Sequence, residues 1–117
     1  VVAARIAGIQ ALDSVFGDVN DSEGLYEDAL RARRLGFDGK SVIHPRQIAV
    51  VHRAFTPSDK EINFAVRVMA AFSDAESRGS GVIALDGRMI DAPVVVRARK
   101  TIALAKAAGR LSGEEEA

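Results

Sequence analysis

Residues 81–100 read GVIALDGRMIDAPVVVRARK. Short apolar runs flank Asp86-Gly87, and that dipeptide favours the positive backbone angles of a two-residue turn, so the stretch predicts a β-hairpin. One acid, Asp91, follows. Pro93 then marks a helix start, because its fixed φ suits a first helical turn and its missing N–H costs nothing there. Upstream the rhythm differs: strand, helix, strand, helix, then one long helix. Alternating strands and helices imply right-handed crossover units and a parallel sheet. The stretch therefore reads as an appendage that brings one carboxylate to a site built elsewhere.

Working back towards the N-terminus, Gly79-Ser80-Gly81 forms a joint. Thr56-Pro57 starts a helix expected to run to about Arg78. Its apolar residues fall into two stripes: Ile62, Ala65, Val66, Met69 and Ala70, then Phe64, Val68, Ala71 and Phe72. Two stripes imply burial on two sides. Packing against the last helix, with Val95, Ala98, Ile102 and Ala105 inward, is one explanation and a subunit interface is another. Further back, Pro45 starts a helix through about Ala54. Asp21 or Ser22 caps a helix reaching about Leu35, with Leu25, Ala29, Ala32 and Leu35 inward and Gly36 as a left-handed stop. Residues 9–16 and 37–43 are the two strand candidates, the first with apolar residues on both faces, as suits a sheet covered on both sides. Residues 1–7 finish a helix.

The 117 residues, 48% hydrophobic, suffice for one small domain with a core. Sixteen basic residues balance sixteen acidic ones, which argues against nucleic acid or an anionic membrane as partner. The absence of cysteine excludes disulfides, thiolate metal sites and a thiol nucleophile, and accords with a cytoplasmic location. No apolar run approaches the roughly 20 residues of a spanning helix. Two parallel strands cannot bury a sheet alone, and the chain opens on Val1-Val2-Ala3-Ala4-Arg5 without methionine. The sequence is therefore expected to begin inside a longer protein. Residues 113–117, GEEEA, read as a frayed acidic tail.

At GKSVIHPRQI (39–48) and GVIALDGRMIDAPVV (81–95) the chain resembles the citrate lyase beta subunit and the malyl-CoA and citramalyl-CoA lyases, a branch of the HpcH/HpaI aldolase superfamily. Supporting motifs, in family order, are IQALD (9–13), DSEGL (21–25), LGFDGK (35–40), IHP (43–45), FTPS (55–58) and DGRMIDAP (86–93). The resemblance implies an α/β fold: residues 1–55 as the C-terminal end of a (β/α)8 TIM barrel with its last two strands, and 56–117 as a lid of long helix, hairpin and final helix. It implies Mg2+-dependent carbon–carbon cleavage of a 3-hydroxyacyl thioester (citryl-, malyl- or citramalyl-CoA type), carried on CoA or on an acyl carrier protein, to an acetyl thioester and an oxo acid. The Mg2+ ligands would lie upstream of Val1, so the stretch alone is expected to be inactive. Asp91 matches the family's lid acid, which exchanges a proton with the enolate carbon. Closing a lid can desolvate such a carboxyl and raise its pKa. Ser41 and Val42 match a substrate or CoA contact, with Lys40 able to add charge towards a phosphate. A homo-oligomer, trimer or hexamer, with its lid shared between subunits is also implied, with no nucleic-acid or membrane partner.

Simpler roles stand beside these. Asp91 lies two residues before Pro93, where a capping aspartate is common. His44, beside Pro45, suits a turn-fixing hydrogen bond as well as acid–base chemistry. Asp13 ends a strand, but nothing local pairs with it. Arg97, Arg99 and Lys100 form a charged helix side before they form a phosphate site. Two alternatives to the lyase remain: a metal-dependent aldolase for hydroxy-oxo acids, which the DGRMIDAP motif disfavours, and a non-catalytic assembly subunit.

Overall fold

The computed structural model describes residues 1–81 and 83–111. The predicted acidic tail lies outside them, as does Val82 of the first hairpin strand. Within the chain, contacts define two compact units, Val1–Thr56 and Pro57–Ala117.

The first unit begins with helix α1, Val2–Ala7, followed by strand β1, Leu12–Asp13; helix α2, Ser22–Arg34; strand β2, Gly39–Lys40; and helix α3, Arg46–Phe55. β1 and β2 pair in parallel, with Leu12 opposite Gly39 and Asp13 opposite Lys40. Flanking hydrogen bonds extend the ladder: Asp38 N–H donates to Ala11 O at 2.8 Å and Ser41 N–H to Asp13 O at 3.0 Å. Both strands are thus shorter than the apolar runs at 9–16 and 37–43 predict. A ladder lasts only as far as both partners stay extended, and here the chain turns away on each side.

Helix α2 forms where its ends are satisfied. Asp21 accepts the Gly24 N–H at 2.9 Å. A side chain at Gly24 would strike the Asp21 carboxylate, so glycine is needed for this cap. Leu25, Ala29 and Ala32 are buried as the spacing predicts, whereas Leu35 is 60% exposed because it lies at the C-cap, past the last packed turn. Ile9, Leu12 and Val15 are also exposed. Asp13 and Lys40 turn towards α2, and the side chains of a strand alternate. Leu12 therefore faces away from that helix, and the expected cover on both faces is not found among the described residues.

The second unit holds helix α4, Asp59–Ser77; strands β3, Ile83–Leu85, and β4, Arg88–Ile90; and helix α5, Ala92–Ala107. α4 starts two residues later than Thr56-Pro57 predicts. Thr56 instead closes α3, its hydroxyl donating to His52 O at 2.6 Å. Ser58 is the true cap and accepts the Glu61 N–H at 3.2 Å. The hairpin turns on Asp86 (φ 52°) and Gly87 (φ 74°), both positive as a type I′ turn requires. Its core is Ala65 and Val68 of α4, Ile90 of β4, and Val95 and Ala98 of α5. Full burial of Val68 alone is worth about 2 kcal/mol. Packing against α5 thus takes Ala65 from one predicted stripe and Val68 from the other, while Phe64 and Val66 remain exposed.

Candidate functional site

The ends of β1 and β2, with the loops beyond them, form one candidate region. Register places Asp13 and Lys40 side by side. The Lys40 ammonium donates to Asp13 Oδ2 at 2.9 Å and to Ser14 O at 2.7 Å, and lies 2.5 Å from Asp28 Oδ2 on α2. An ammonium has three N–H donors, and here all three are used. The Lys40 side chain is only 1% exposed. Burial works against its charge, but the hydrogen bonds and fields of Asp28 and Asp13 prevail and raise its pKa above the ordinary lysine value. Burial likewise opposes ionisation of Asp13, yet hydrogen bonds from Lys40 and at Ser14 hold its pKa below the usual carboxylate value. The partner of Asp13 is not local but lies 27 residues away, and one expectation is corrected: Lys40 is committed inside the fold rather than extended to a phosphate.

Beyond the strands, Gln47 joins the two loops. Its Oε1 accepts the Ile43 N–H at 2.9 Å and its Nε2 donates to Phe16 O at 3.0 Å. His44 Nδ1 accepts the Arg46 N–H at 3.1 Å, which is the turn-fixing role. Ser41 and Val42 lie exposed in the same loop. The N–H groups on either side of Val42 are engaged, Ser41's with Asp13 O and Ile43's with Gln47. Beside this loop, an open cleft of about 270 Å³ is lined by Asp38, Val42, Ile48, Val51, His52 and Phe55, among others. Below the strands, Arg5 grips Asp38 with a two-pronged bond at 2.9 and 3.1 Å. That bond, with the field of Asp38, raises the Arg5 pKa further.

Asp91 lies in the other unit, as the N-cap of α5. Its Oδ1 accepts the Val94 N–H at 3.3 Å, and the side chain is exposed. Buried Ile90 before it and buried Val95 after it anchor its backbone. At the hairpin tip Asp86 pairs with Arg67 of α4 at 2.5 Å. The basic side of α5 is a solvated face, with Arg99 stacked 5.3 Å from the centre of the Phe72 ring.

Over residues 1–45 the chain matches the HpcH/HpaI aldolase/citrate lyase family. It is 51% identical over 105 residues to the citrate lyase subunit beta of Leuconostoc mesenteroides subsp. cremoris, a match covering 90% of this chain and 35% of that protein. The chain belongs to the citrate lyase beta and malyl-CoA lyase branch of this family. It is also 41% identical over 107 residues to the (3S)-malyl-CoA thioesterase of Cereibacter sphaeroides, covering 92% of this chain and 38% of the relative. The crystal structure of CitE from Mycobacterium tuberculosis in complex with magnesium, acetoacetate and coenzyme A superposes with a TM-score of 0.74 at 40% identity, covering 90% of this chain and 38% of that one. The fold is accordingly the C-terminal part of an α/β barrel, unclosed, with a helical and hairpin extension. The chain spans about a third of the length of the curated relatives it matches.

No group of three or more His, Asp or Glu side chains among the described residues is arranged to hold a metal ion. Asp13 and Asp28 converge, but the Lys40 ammonium already occupies the space between them. These residues do not fit a Mg2+ site. No described helix is long and apolar enough to cross a membrane.

Two features of the region escaped sequence reasoning. The Lys40 cluster needed strand register, since Asp13 and Lys40 are 27 residues apart. Opposite charges at matching positions of two parallel strands are the signal that could have revealed it. Gln47 gave no signal, because glutamine in a helix usually faces water.

Proposed function

We propose that this chain supplies the last barrel strands and the lid of a carbon–carbon lyase acting on a 3-hydroxyacyl-CoA thioester of the citryl, malyl or citramalyl type. The carrying observation is the similarity over 90% of this chain to a citrate lyase beta subunit, together with the DGRMIDAP motif and Asp91 held between two buried anchors. In the proposed cleavage the bond between the hydroxyl-bearing carbon and its neighbour breaks. The hydroxyl oxygen becomes the oxo group of the released acid, and its proton leaves to a base outside the described residues. The electron pair stays with the thioester fragment as an enolate. The Asp91 carboxyl gives its proton to that carbon, producing an acetyl thioester and leaving Asp91 as carboxylate. Ser41 and Val42 contact the substrate. Mg2+ belongs to this reading through the relatives, and none of the described residues is assigned to it. The same reading includes a cytoplasmic homo-oligomer, trimer or hexamer, whose lid serves a neighbouring subunit. Mixed oligomers of Asp91→Asn and substrate-loop variants test this, because sharing predicts recovered turnover.

The test of the reaction is to incubate the full-length protein and Mg2+ with malyl-CoA, citramalyl-CoA and citryl-CoA. Release of acetyl-CoA with the matching oxo acid is the expected result. Release of free CoA with the intact hydroxy acid would instead support thioester hydrolysis, a second reading favoured by the 41% identity to a malyl-CoA thioesterase. Neither product would sink both.

A further inference from the structure

We infer that Gln47 is a positioning residue, whose buried amide sets the spacing of the two strand-end loops and so places Ser41 and Val42 against substrate. This rests on the lyase reading for the substrate and for the contacts at Ser41 and Val42; the coupling of the loops stands on its own geometry.

Gln47 is 2% exposed, its amide buried between the two loops. Phe16 and Ile43, its two partners, each lie three residues beyond the last residue of their strand. The backbone ladder ends at the bond from Ser41 to Asp13. Past it the amide crosses from one loop to the other, where Arg46 Nη1 also donates to Asn20 Oδ1 at 3.2 Å, but on the exposed surface. The two bonds run in opposite senses, one accepted and one donated. A side-chain amide offers both at this length at any pH, whereas a methionine or an ionised carboxylate does not. What the amide adds is a fixed distance between two loops. One of those loops carries Ser41 and Val42.

The experiment uses the full-length protein with Gln47→Met and Gln47→Glu. Amide hydrogen exchange is followed at residues 14–17 and 41–43, and steady-state kinetics with malyl-CoA, citramalyl-CoA and citryl-CoA. In Gln47→Met the loop amides exchange about tenfold faster or more while those of α2 and α4 do not, and KM rises about tenfold with kcat changed much less, as loss of one or two neutral hydrogen bonds predicts. Gln47→Glu matches the methionine variant at pH 8 and recovers near pH 5.5, where its protonated carboxyl can donate to Phe16 O while the other oxygen accepts from Ile43. That recovery separates positioning from mere packing, and it also serves if the methionine variant folds poorly. Unchanged exchange in the loops of either variant overturns the inference, whether or not the protein turns over any thioester. So does faster loop exchange with KM unchanged in an active wild-type background. Inactivity of the wild type with all three thioesters counts against the lyase reading, and the exchange result then decides the inference alone.

Discussion

The Lys40 cluster and the Asp91 cap handle charge in opposite ways. Around Lys40, one buried ammonium is held by two partly exposed carboxylates, and every N–H of the ammonium is used. At Asp91, one exposed carboxylate makes a single long bond of 3.3 Å to a helix end. The first arrangement has no spare capacity, so a substrate phosphate would have to displace a bonded carboxylate to reach Lys40. The second keeps capacity in hand, because an N-cap bond of that length yields at small cost when the carboxyl is needed elsewhere. The lesson is that a charged residue near a strand end is not by that fact a site residue. What distinguishes the two is whether the fold has already used its hydrogen bonds.

The sharpest way to break this contrast is Asp91→Asn. Asparagine caps a helix as well as aspartate. The substitution should leave the urea unfolding midpoint unchanged and lower acetyl-CoA release by about a thousandfold, the usual scale for a lost acid–base group. Retained turnover would reduce Asp91 to its capping role. Asp91→Ala should also cost about 1 kcal/mol of stability, from the lost cap.

At the other region, Lys40→Met should cost about 3 kcal/mol in urea unfolding, since it leaves two carboxylates facing each other without their cation. Adding Asp13→Asn and Asp28→Asn should restore most of that loss. If Lys40→Met is neutral, the cluster is not holding the strand ends together.

The same cluster predicts a pH profile. The folded pKa of Asp13 lies below the ordinary 3.8, so its contribution is present above that value and is lost as the pH falls through the folded pKa. The folded pKa of Lys40 lies above the ordinary 10.5, so its contribution is complete below that value and is lost as the pH rises through the folded pKa. Unfolding midpoints should therefore hold level between these limits and fall outside them. Lys40→Met should flatten both shoulders.

The smallest effect belongs to the hairpin tip. Arg67 and Asp86 are both about half exposed, and water screens such pairs. Arg67→Ala should cost no more than about 0.5 kcal/mol. A larger loss would mean that the ion pair, rather than the buried Ile90, holds the hairpin to α4.

Much of this was readable in the order of residues. The caps at Asp21 and Asp91, the turn at Asp86-Gly87 and the stop at Gly36 are local events, decided within four residues by side-chain reach and allowed backbone angles. Stripes such as Leu25, Ala29 and Ala32 follow from helical spacing alone. The motifs from IQALD to DGRMIDAP, read together and in order, carried the family. Strand length was not readable in this way, because a strand lasts only while a neighbour offers its backbone groups. Nor was the fate of Asp13, Lys40 and Gln47. Each depends on a partner 27 or 31 residues away or on another element. Charge and polarity are written in the sequence, but burial and hydrogen-bond satisfaction are properties of the assembled chain. The sequence by itself determined which residues are chemically able to act; the tertiary structure decided which of them are already occupied.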